Sequence, residues 1–465
     1  MFVGRQNELR RLDGLYNSGK FECVIVHGRL RAGKTALIRE FTQGKRSIHF
    51  TAQETSSREN LENLTRLIKA FPADSRKLPA DSGKSKKDID SYDDAFGCVS
   101  DISRSERVIL AIDDYQFLAA AQRDISDTIC RQIDVSLNGS MLMLILCGSS
   151  APKMMSETLG FESPFHGRRT AQISLDPFTF FETKRYYSDF SAFDIAIIFG
   201  LTGGVPRYLE LMDPDLPIED NIRRSFFDPS SFLYEEPANI LRREVRDPAY
   251  YNAILKVIAA GSAKNSEIAS KTGLETSACT AYLKNLMALG IVGKHTPLTE
   301  KSGKKTAYDI ADNMFNFWYR FVSGNISSIQ SGLVDRVWRG VAQGIPQYMT
   351  TVFEGICRQW FEQQNQAGRL PLKYAEIGRW WGVDPVWKKD SAIPIVAYSD
   401  DDHAIFADCV WSDEPAQSGA LASLEERSRV FRYPNRYLYL FSRSGFSDEC
   451  AGLARRIGAN LVMFE

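Results

Sequence analysis

The chain has 465 residues, of which 44% are hydrophobic and 25% charged, so its composition is that of an ordinary globular protein. Disorder, collagen and a pure coiled coil are excluded. The 57 Lys and Arg residues nearly balance 58 Asp and Glu, giving a formal net charge of −1. This balance excludes a uniformly basic coat for nucleic acid and leaves room for a local basic face.

The sequence predicts a cytoplasmic protein of several domains. Its longest apolar runs, such as Leu142 to Cys147, are far shorter than the roughly 18 residues of a membrane span. The N-terminus is charged from Arg5 onward and lacks the apolar core of a secretory signal. The eight cysteines are dispersed without C-x-x-C spacing, so we expect reduced thiols.

Strand and helix patterns alternate from residue 1 to about 235. This alternation predicts a parallel sheet covered by helices on both faces, with α/β fold class. The predicted strands are Phe21–His27, Ser47–Thr51, Val108–Ile112, Met141–Cys147 and Thr170–Leu175, and the predicted helices are Lys34–Phe41, Ser57–Phe71 and Ala120–Ser136. A polar stretch at 73–90 reads as an exposed connector, after which Ser91 can cap a helix.

Residues 250–310 predict three short helices followed by a hairpin, the pattern of a winged helix. The predicted helices are Tyr250–Ala260, Ser266–Lys271 and Thr276–Leu289, and the hairpin strands are Ile291–Lys294 and Thr306–Ile310. Helix and strand patterns return from about residue 350, beginning with a helix at Thr351–Gln364. We therefore predict three domains, at 1–235, 236–320 and 321–465.

The winged-helix segment is locally basic, with eight lysines and four acidic residues. Its third helix could enter the major groove of duplex DNA while Lys301, Lys304 and Lys305 contact phosphates. The exposed face of that helix offers mainly Ser277, Thr280, Ala281 and Lys284, a set that predicts weak base readout. A winged helix used only for packing or protein contact remains an alternative.

A phosphate-binding motif follows the first strand. Residues 28–35, GRLRAGKT, match G-x-x-x-x-G-K-[ST] between an apolar strand and an amphipathic helix. The glycines let backbone N–H groups, including those at Arg31 and Ala32, curl around phosphates. Lys34 would reach the β and γ phosphates, and Thr35 would ligate Mg²⁺. A chance glycine-rich turn is the alternative.

Two carboxylates and two hydroxyls follow the next apolar strands. Asp113 and Asp114 end the strand Val108–Ile112, at the edge of the sheet where ligands bind. We expect Asp113 to hold Mg²⁺ through water and Asp114 to polarise the attacking water. Ser149 or Ser150, after the strand Leu142 to Cys147, could contact the γ-phosphate or cap a helix.

These segments occur in the order seen in a known family. FVGRQNEL at 2–9, the motif at 28–35, IDDYQF at 112–117, GSS at 148–150, GRR at 167–169 and GGVPRYL at 203–209 resemble archaeal-type AAA+-like ATPases, which are similar to STAND and Orc/Cdc6-like P-loop proteins. The second half, with GRWWG at 378–382 and DCVW at 408–411, looks like the DUF234 domain, a relative of PD-(D/E)XK nucleases. The resemblance implies a P-loop sheet with a helical lid, then a winged helix, then a smaller restriction-endonuclease-like α/β domain.

The resemblance also implies roles for residues with no visible chemistry of their own. It sets Gly4 and Arg5 near the adenine of ATP. It sets Pro206 and Arg207 in a lid motif that contacts nucleotide, with packing of a helix turn as the alternative. It makes Arg168 or Arg169 an arginine finger acting on a neighbouring subunit, with a pair of surface arginines as the alternative.

Two departures from the resemblance change the expected activity. Relatives carry Asp-Glu where this chain has Asp113-Asp114, and the shorter side chain predicts slow hydrolysis. In the nuclease-like domain, Pro394 and Val410 stand where relatives have a metal-binding aspartate and a lysine. Only Glu354 and Asp408 remain as acids there, so we expect no nuclease activity.

The sequence thus predicts a slow ATPase, with ATP and Mg²⁺ as cofactors, that acts as a switch for a DNA-contacting winged helix. Two alternatives stay open: a DNA-binding factor in which ATP only gates binding, and a protein-interaction switch without nucleic acid. A homo-oligomer or a protein partner is possible under each, and no membrane partner is expected.

Overall fold

The computed structural model describes residues 2–71, 89–149, 157–187, 189–298, 305–383, 388–399 and 402–464. The chain divides into two compact units. The first contains Met1–Pro177 and Val205–Arg207, and the second contains Phe178–Gly204 and Tyr208–Glu465. The three-domain division at 1–235, 236–320 and 321–465 stays a prediction. Most of the expected connector at 73–90 lies outside the described residues.

The first unit is a five-stranded parallel sheet with helices around it. Its strands are β1 Glu22–Gly28, β2 Ser47–Thr51, β3 Val108–Asp113, β4 Leu142–Ser149 and β5 Ala171–Leu175, in the order β2-β3-β4-β1-β5. Its helices are α1 Gln6–Asn17, α2 Lys34–Thr42, α3 Ser57–Ala70, α4 Tyr92–Ser103, α5 Tyr115–Ala121 and α6 Ile125–Gln132. This confirms the predicted parallel α/β sheet.

Apolar side chains on both faces of the sheet explain why the central strands are continuous apolar runs. Along β1, Cys23 and Ile25 join one buried cluster with α4 and α6, while Val24 and Val26 join another with α2. All residues of β1 and β4 are buried. A strand covered on both faces needs no polar alternation, which is the pattern that the sequence carries.

The prediction of one continuous helix at Ala120–Ser136 is wrong. The chain instead forms α5, a break around Gln122 to Asp124, α6, and a π-helical turn at Ile133–Leu137. The Ser91 prediction is confirmed, because its side chain accepts a hydrogen bond from the Asp94 N–H at the start of α4.

The second unit begins with helices on either side of Val205–Arg207. They are α7 Phe180–Tyr186, α8 Ala192–Thr202, α10 Ile218–Phe226 and α11 Phe232–Glu244, while the short α9 Pro206–Leu209 starts in the first unit and ends in the second. The winged helix follows as α12 Pro248–Ala259, α13 Asn265–Thr272, α14 Thr276–Ala288 and the antiparallel hairpin β6 Val292–His295 with β7 Ala307–Ile310. The three helices and hairpin match the prediction within two residues at each end.

A long helical region leads into the C-terminal sheet. Its elements are α15 Asn313–Phe317, a π-helical turn Trp318–Val322, α16 Ile326–Gln330 and the 33-residue α17 Val334–Gln366. The sheet has the order β12-β11-β10-β9-β8, formed by β8 Glu376–Val383, β9 Asp390–Tyr398, β10 His403–Val410, β11 Asn435–Ser442 and β12 Asn460–Met463, with α18 Ser418–Ser428 and α19 Asp448–Ile457. β8, β9 and β10 are antiparallel, and β10, β11 and β12 are parallel.

Helix α8 is buried within the second unit rather than lying on its surface. Tyr348 in α17 donates its hydroxyl to the Gly200 carbonyl of α8 and to the Asn313 carbonyl. Phe193 stacks on Trp411 at the end of β10, with ring centroids 5.6 Å apart, and Arg443 lies over both rings. The helices next to Val205–Arg207 therefore form one packed body with the C-terminal sheet.

Candidate nucleotide-binding site

The phosphate-binding loop leaves β1 at Gly28, where no side chain fits. A Cβ on Gly28 would lie 2.2 Å from the Leu175 carbonyl oxygen of β5, and the residue has φ 154°. Gly33, which precedes α2, has φ 89°, a conformation that glycine adopts without strain. The two glycines at the motif spacing thus produce the tight curl that the sequence predicts.

Lys34 lies inside this loop. The residue is only 8% exposed, and its Nζ donates to the Gly28 and Arg29 carbonyl oxygens, each at 2.9 Å. A buried ammonium has to be paired with acceptors or an anion, because desolvation of a bare charge is costly. The loop therefore holds a positive charge at the N-terminus of α2, where an anion is favoured.

Thr35 and Asp113 meet at the mouth of the loop. The Thr35 hydroxyl donates to the Asp113 carboxylate, which also accepts the Asp114 N–H at 2.9 Å. A hydroxyl and a carboxylate are hard oxygen donors, and Mg²⁺ is commonly held by one or two protein oxygens together with phosphate oxygens and water. The pair fits such an ion, while no group of three or more His, Cys, Asp or Glu that could hold a metal occurs among the described residues.

Asp114 has a strained backbone and an oriented side chain. Its φ of 51° is left-handed, and its carboxylate accepts from Gln116 Nε2 at 2.8 Å. Gln116 was not assigned a role from sequence, although it stands only two positions away. The role of Asp114 as a general base acting on a water molecule stays a prediction.

Arg5 is a buried anchor for the loop. It is 7% exposed, and its guanidinium donates to the Ala32 carbonyl of the loop and to the Asp176 carbonyl after β5. Gly4, Arg5 and Arg31 all have positive φ, at 74°, 64° and 70°. Three of the five non-glycine residues with positive φ in the described chain, Arg5, Arg31 and Asp114, lie at this site. Such strain concentrates where surrounding structure fixes a functional geometry.

Two further predicted residues lie beside the loop. Ser149, buried at the end of β4, is the register partner of Gly28. A Cβ on Gly33 would lie 3.8 Å from Pro206 Cγ, so the Val205–Arg207 segment reaches the loop. Arg207 is exposed, and Ser150 lies outside the described residues.

Arg168 and Arg169 are held by nearby groups. Arg168 makes a two-pronged ion pair with Asp134, with contacts of 2.7 and 2.9 Å, and that partner raises the pKa of the guanidinium. Arg169 donates to the Thr158 carbonyl at 3.0 Å. These contacts lie within the same chain.

Sequence reasoning missed His27 and Cys147, two buried groups next to the loop and Asp113. His27 immediately precedes Gly28 and lies 2.9 Å from Gln172, and burial lowers the pKa of its imidazole. Burial, with the Asp113 carboxylate nearby, raises the pKa of the Cys147 thiol. Both stand inside apolar strands, so no spacing pattern marked them.

In the C-terminal sheet, the remaining acids are paired with arginines. Asp408 on β10 accepts from Arg427 of α18 at 2.5 Å, and Glu354 of α17 lies 3.4 Å from Arg379. Burial raises the pKa of the Glu354 carboxyl, which is 9% exposed. The Arg427 guanidinium thus neutralises the Asp408 carboxylate on β10.

The wing of the winged helix is attached to the C-terminal sheet. The Leu298 N–H donates to the Arg379 carbonyl of β8 at 2.9 Å, and its side chain packs against the cluster around Trp380. Lys305 Nζ would lie 3.3 Å from a Cβ on Gly382. Lys301 and Lys304 lie outside the described residues. On α14, Ser277, Thr280, Ala281 and Lys284 are exposed, as expected.

No helix in the described part of the chain is both long enough and apolar enough to cross a membrane.

Three family models match the chain in order. Residues 2–212 match an ATPase domain predominantly from Archaea. Residues 252–292 match a winged helix-turn-helix DNA-binding model. Residues 318–425 match DUF234, described as "Archaea bacterial proteins of unknown function".

Two individual proteins are similar in sequence to this chain. An uncharacterized protein of Methanocaldococcus jannaschii is 29% identical over 415 residues, covering 89% of this chain and 88% of the relative. An uncharacterized ATP-binding protein of that organism is 44% identical over 46 residues, or 10% of this chain and 78% of the other.

A solved structure supports the fold. The Walker-type ATPase of Pyrococcus abyssi has a TM-score of 0.54 and 20% identity, over 69% of this chain and 96% of that one. Residues 2–212 thus match an ATPase domain predominantly from Archaea, and the same chain also carries matches to a winged helix and to DUF234.

Proposed function

We propose that this protein binds ATP with Mg²⁺ and hydrolyses it slowly, using nucleotide state as a switch. The observation that carries the proposal is the convergence at one loop of the Lys34 ammonium and the Thr35–Asp113 pair. A phosphate chain needs a fixed cation and a metal position side by side, and this loop supplies both.

Each residue of the loop has a separate part in binding. The backbone N–H groups from Gly28 to Gly33 and the α2 N-terminus face the phosphates. On binding, the Lys34 ammonium would donate to phosphate oxygens instead of to the loop carbonyl oxygens. Thr35 and Asp113 hold the metal, directly or through water. Bound Mg²⁺ would neutralise charge that develops on the phosphates. Arg5, anchored at Ala32, keeps the loop next to the segment after β5.

Slow hydrolysis follows from Asp114. Its carboxylate is tied to Gln116 and is one methylene shorter than glutamate, so it reaches the attacking water less well. Arg169, or Arg168 once released from Asp134, could supply a transition-state charge to a neighbouring copy. Ser149, beside Gly28, and Pro206 with Arg207, beside Gly33, would report which nucleotide is bound.

A conformational change at the nucleotide site would be transmitted through α8 to the winged helix and the C-terminal sheet. Val205–Arg207 belongs to the unit that holds the loop, while the adjoining residues Gly204 and Tyr208 belong to the other unit. Because α8 is packed on α17 and Trp411, a change at Pro206 would act on that whole body.

Duplex DNA is the proposed partner of the winged helix. Lys284 on the exposed face of α14 would contact phosphate, and the small side chains around it promise affinity with little base selectivity. One observation favours a second candidate, a protein-interaction switch without nucleic acid. Leu298, in the wing just after β6, contacts β8, so this part of the wing is used for packing within the protein.

We also propose that the DUF234 domain is not a nuclease. The Asp408 carboxylate is neutralised by Arg427, and Pro394 and Val410 offer no metal ligand or proton donor. The domain would serve as a binding or scaffolding module.

Nucleotide binding tests the proposal most simply. Calorimetric titration of MgATP should give a measurable affinity for the wild-type protein and none for Lys34→Ala. Lys20→Ala, which removes an exposed lysine of the same unit, is the matched control and should bind as the wild type does. Equal affinities for wild type and Lys34→Ala would refute the site.

A further inference from the structure

A cavity opens beside the Thr35–Asp113 pair, on the side away from the phosphate-binding loop. It has a volume of about 300 Å³ and lies between α2 and the neighbouring strands β2 and β3. Thr35 and Asp113 form one end, and Arg39, Thr42 and His49 line the walls. At about 30 Å³ per water, this space holds a tetrahedral oxyanion together with several waters.

The position of β2 explains why the cavity exists. β2 is the edge strand of the sheet, and its side chains alternate in character. Ile48 and Phe50 enter the buried cluster with α4 and α6, whereas Ser47, His49 and Thr51 line the cavity on the α2 side. If this face of β2 packed closely against a helix, its side chains would be apolar. This polar face therefore borders solvent-filled space that leads to Asp113.

The charged groups in this space would favour an anion once a bound Mg²⁺ offsets the Asp113 carboxylate, because Arg39 is then the uncompensated charge. The Arg39 guanidinium forms no hydrogen bond or ion pair with another described residue, whereas the Asp113 carboxylate accepts a hydrogen bond from the Thr35 hydroxyl. The Thr42 hydroxyl donates to the Ile38 carbonyl at 2.8 Å, and its oxygen lies 2.9 Å from His49 Nε2. Burial, and then Arg39, lower the pKa of His49, which leaves the imidazole neutral and Arg39 as the cation.

We propose that this cavity is the exit path of the reaction and a transient binding site for inorganic phosphate, with Arg39 as its anion-binding residue. The inference rests on the proposed ATPase function. Hydrolysis adds water oxygen to the γ-phosphorus, breaks its bond to the bridging oxygen and leaves phosphate beside Thr35 and Asp113. The nucleoside diphosphate would still fill the loop, whereas the cavity facing β2 begins at the same Thr35–Asp113 pair.

The probe is inorganic phosphate itself, titrated calorimetrically into the full-length protein saturated with MgADP. The expected result is a weak, saturable site whose affinity falls at least fivefold in Arg39→Ala and is partly restored in Arg39→Lys. Arg131→Ala is the matched control, because Arg131 lies on α6, on the opposite face of the sheet, and should leave phosphate binding unchanged. ADP affinity is measured in parallel for every variant.

The outcomes separate this inference from the function on which it rests. If ADP does not bind the wild-type protein, the proposed function fails. If ADP binds but phosphate does not, or if Arg39→Ala binds phosphate as tightly as wild type, the exit path fails and the nucleotide site stands. A phosphate-sensor measurement of single turnovers gives a second test: slower release in Arg39→Ala supports the path, and unchanged release overturns it.

Discussion

Replacing Gly28 by alanine should damage the nucleotide site through a backbone collision. The added Cβ would lie 2.2 Å from the Leu175 carbonyl oxygen, where ordinary contact begins near 3.4 Å, so the loop must move by about 1 Å. Where a site depends on fixed geometry, a displacement of about 1 Å lowers the reaction rate on the order of 10²-fold, which corresponds to about 2.7 kcal/mol. Overpacking of this kind also destabilises a fold by about 1 to 3 kcal/mol.

Gly14→Ala provides the matched control for that change. Gly14 lies within α1, and a Cβ there meets nothing within 4 Å. The same added methyl group should therefore leave MgATP affinity unchanged and stabilise the helix by up to about 1 kcal/mol. Calorimetric titration of MgATP and thermal unfolding measure both effects. Wild-type affinity and stability in Gly28→Ala would refute the close approach of β5 to the loop.

Three further outcomes are expected. Asp114→Glu should raise the ATP turnover rate about 10-fold or more, because the longer side chain reaches the water, and a steady-state assay that shows a decrease would contradict this role. Lys284→Ala should reduce the slope of log affinity for duplex DNA against log salt by about 0.9, whereas the exposed Lys256→Ala serves as the comparison. Mn²⁺ should support no DNA cleavage, and cleavage that Asp408→Ala abolishes would show a working nuclease.

Local patterns were sufficient to predict the loop and its sheet. The spacing of Gly28, Gly33 and Lys34 and the apolar runs of the strands are local properties, and the structure brings Lys34, Thr35 and Asp113 together as the motif requires. The winged helix is equally local, since turn residues such as Gly273, with φ 70°, separate short helices.

Contacts between distant residues could not be predicted in this way. Arg168 pairs with Asp134, and Asp408 pairs with Arg427, across 34 and 19 positions of sequence. Helix α17 starts 17 residues before its predicted start at Thr351, and it contains Pro346, a residue type that usually ends or kinks a helix. The left-handed conformation of Asp114 likewise has no signature in the sequence.

ATP turnover by the purified protein, with and without duplex DNA, tests the central claim most directly. The wild-type protein should hydrolyse ATP slowly and only with Mg²⁺, below the roughly 10 s⁻¹ of a median enzyme and at a rate that changes when DNA is added, and Lys34→Ala should show no turnover. Turnover that persists at the wild-type rate in Lys34→Ala, or a wild-type protein that hydrolyses no ATP under either condition, would contradict it.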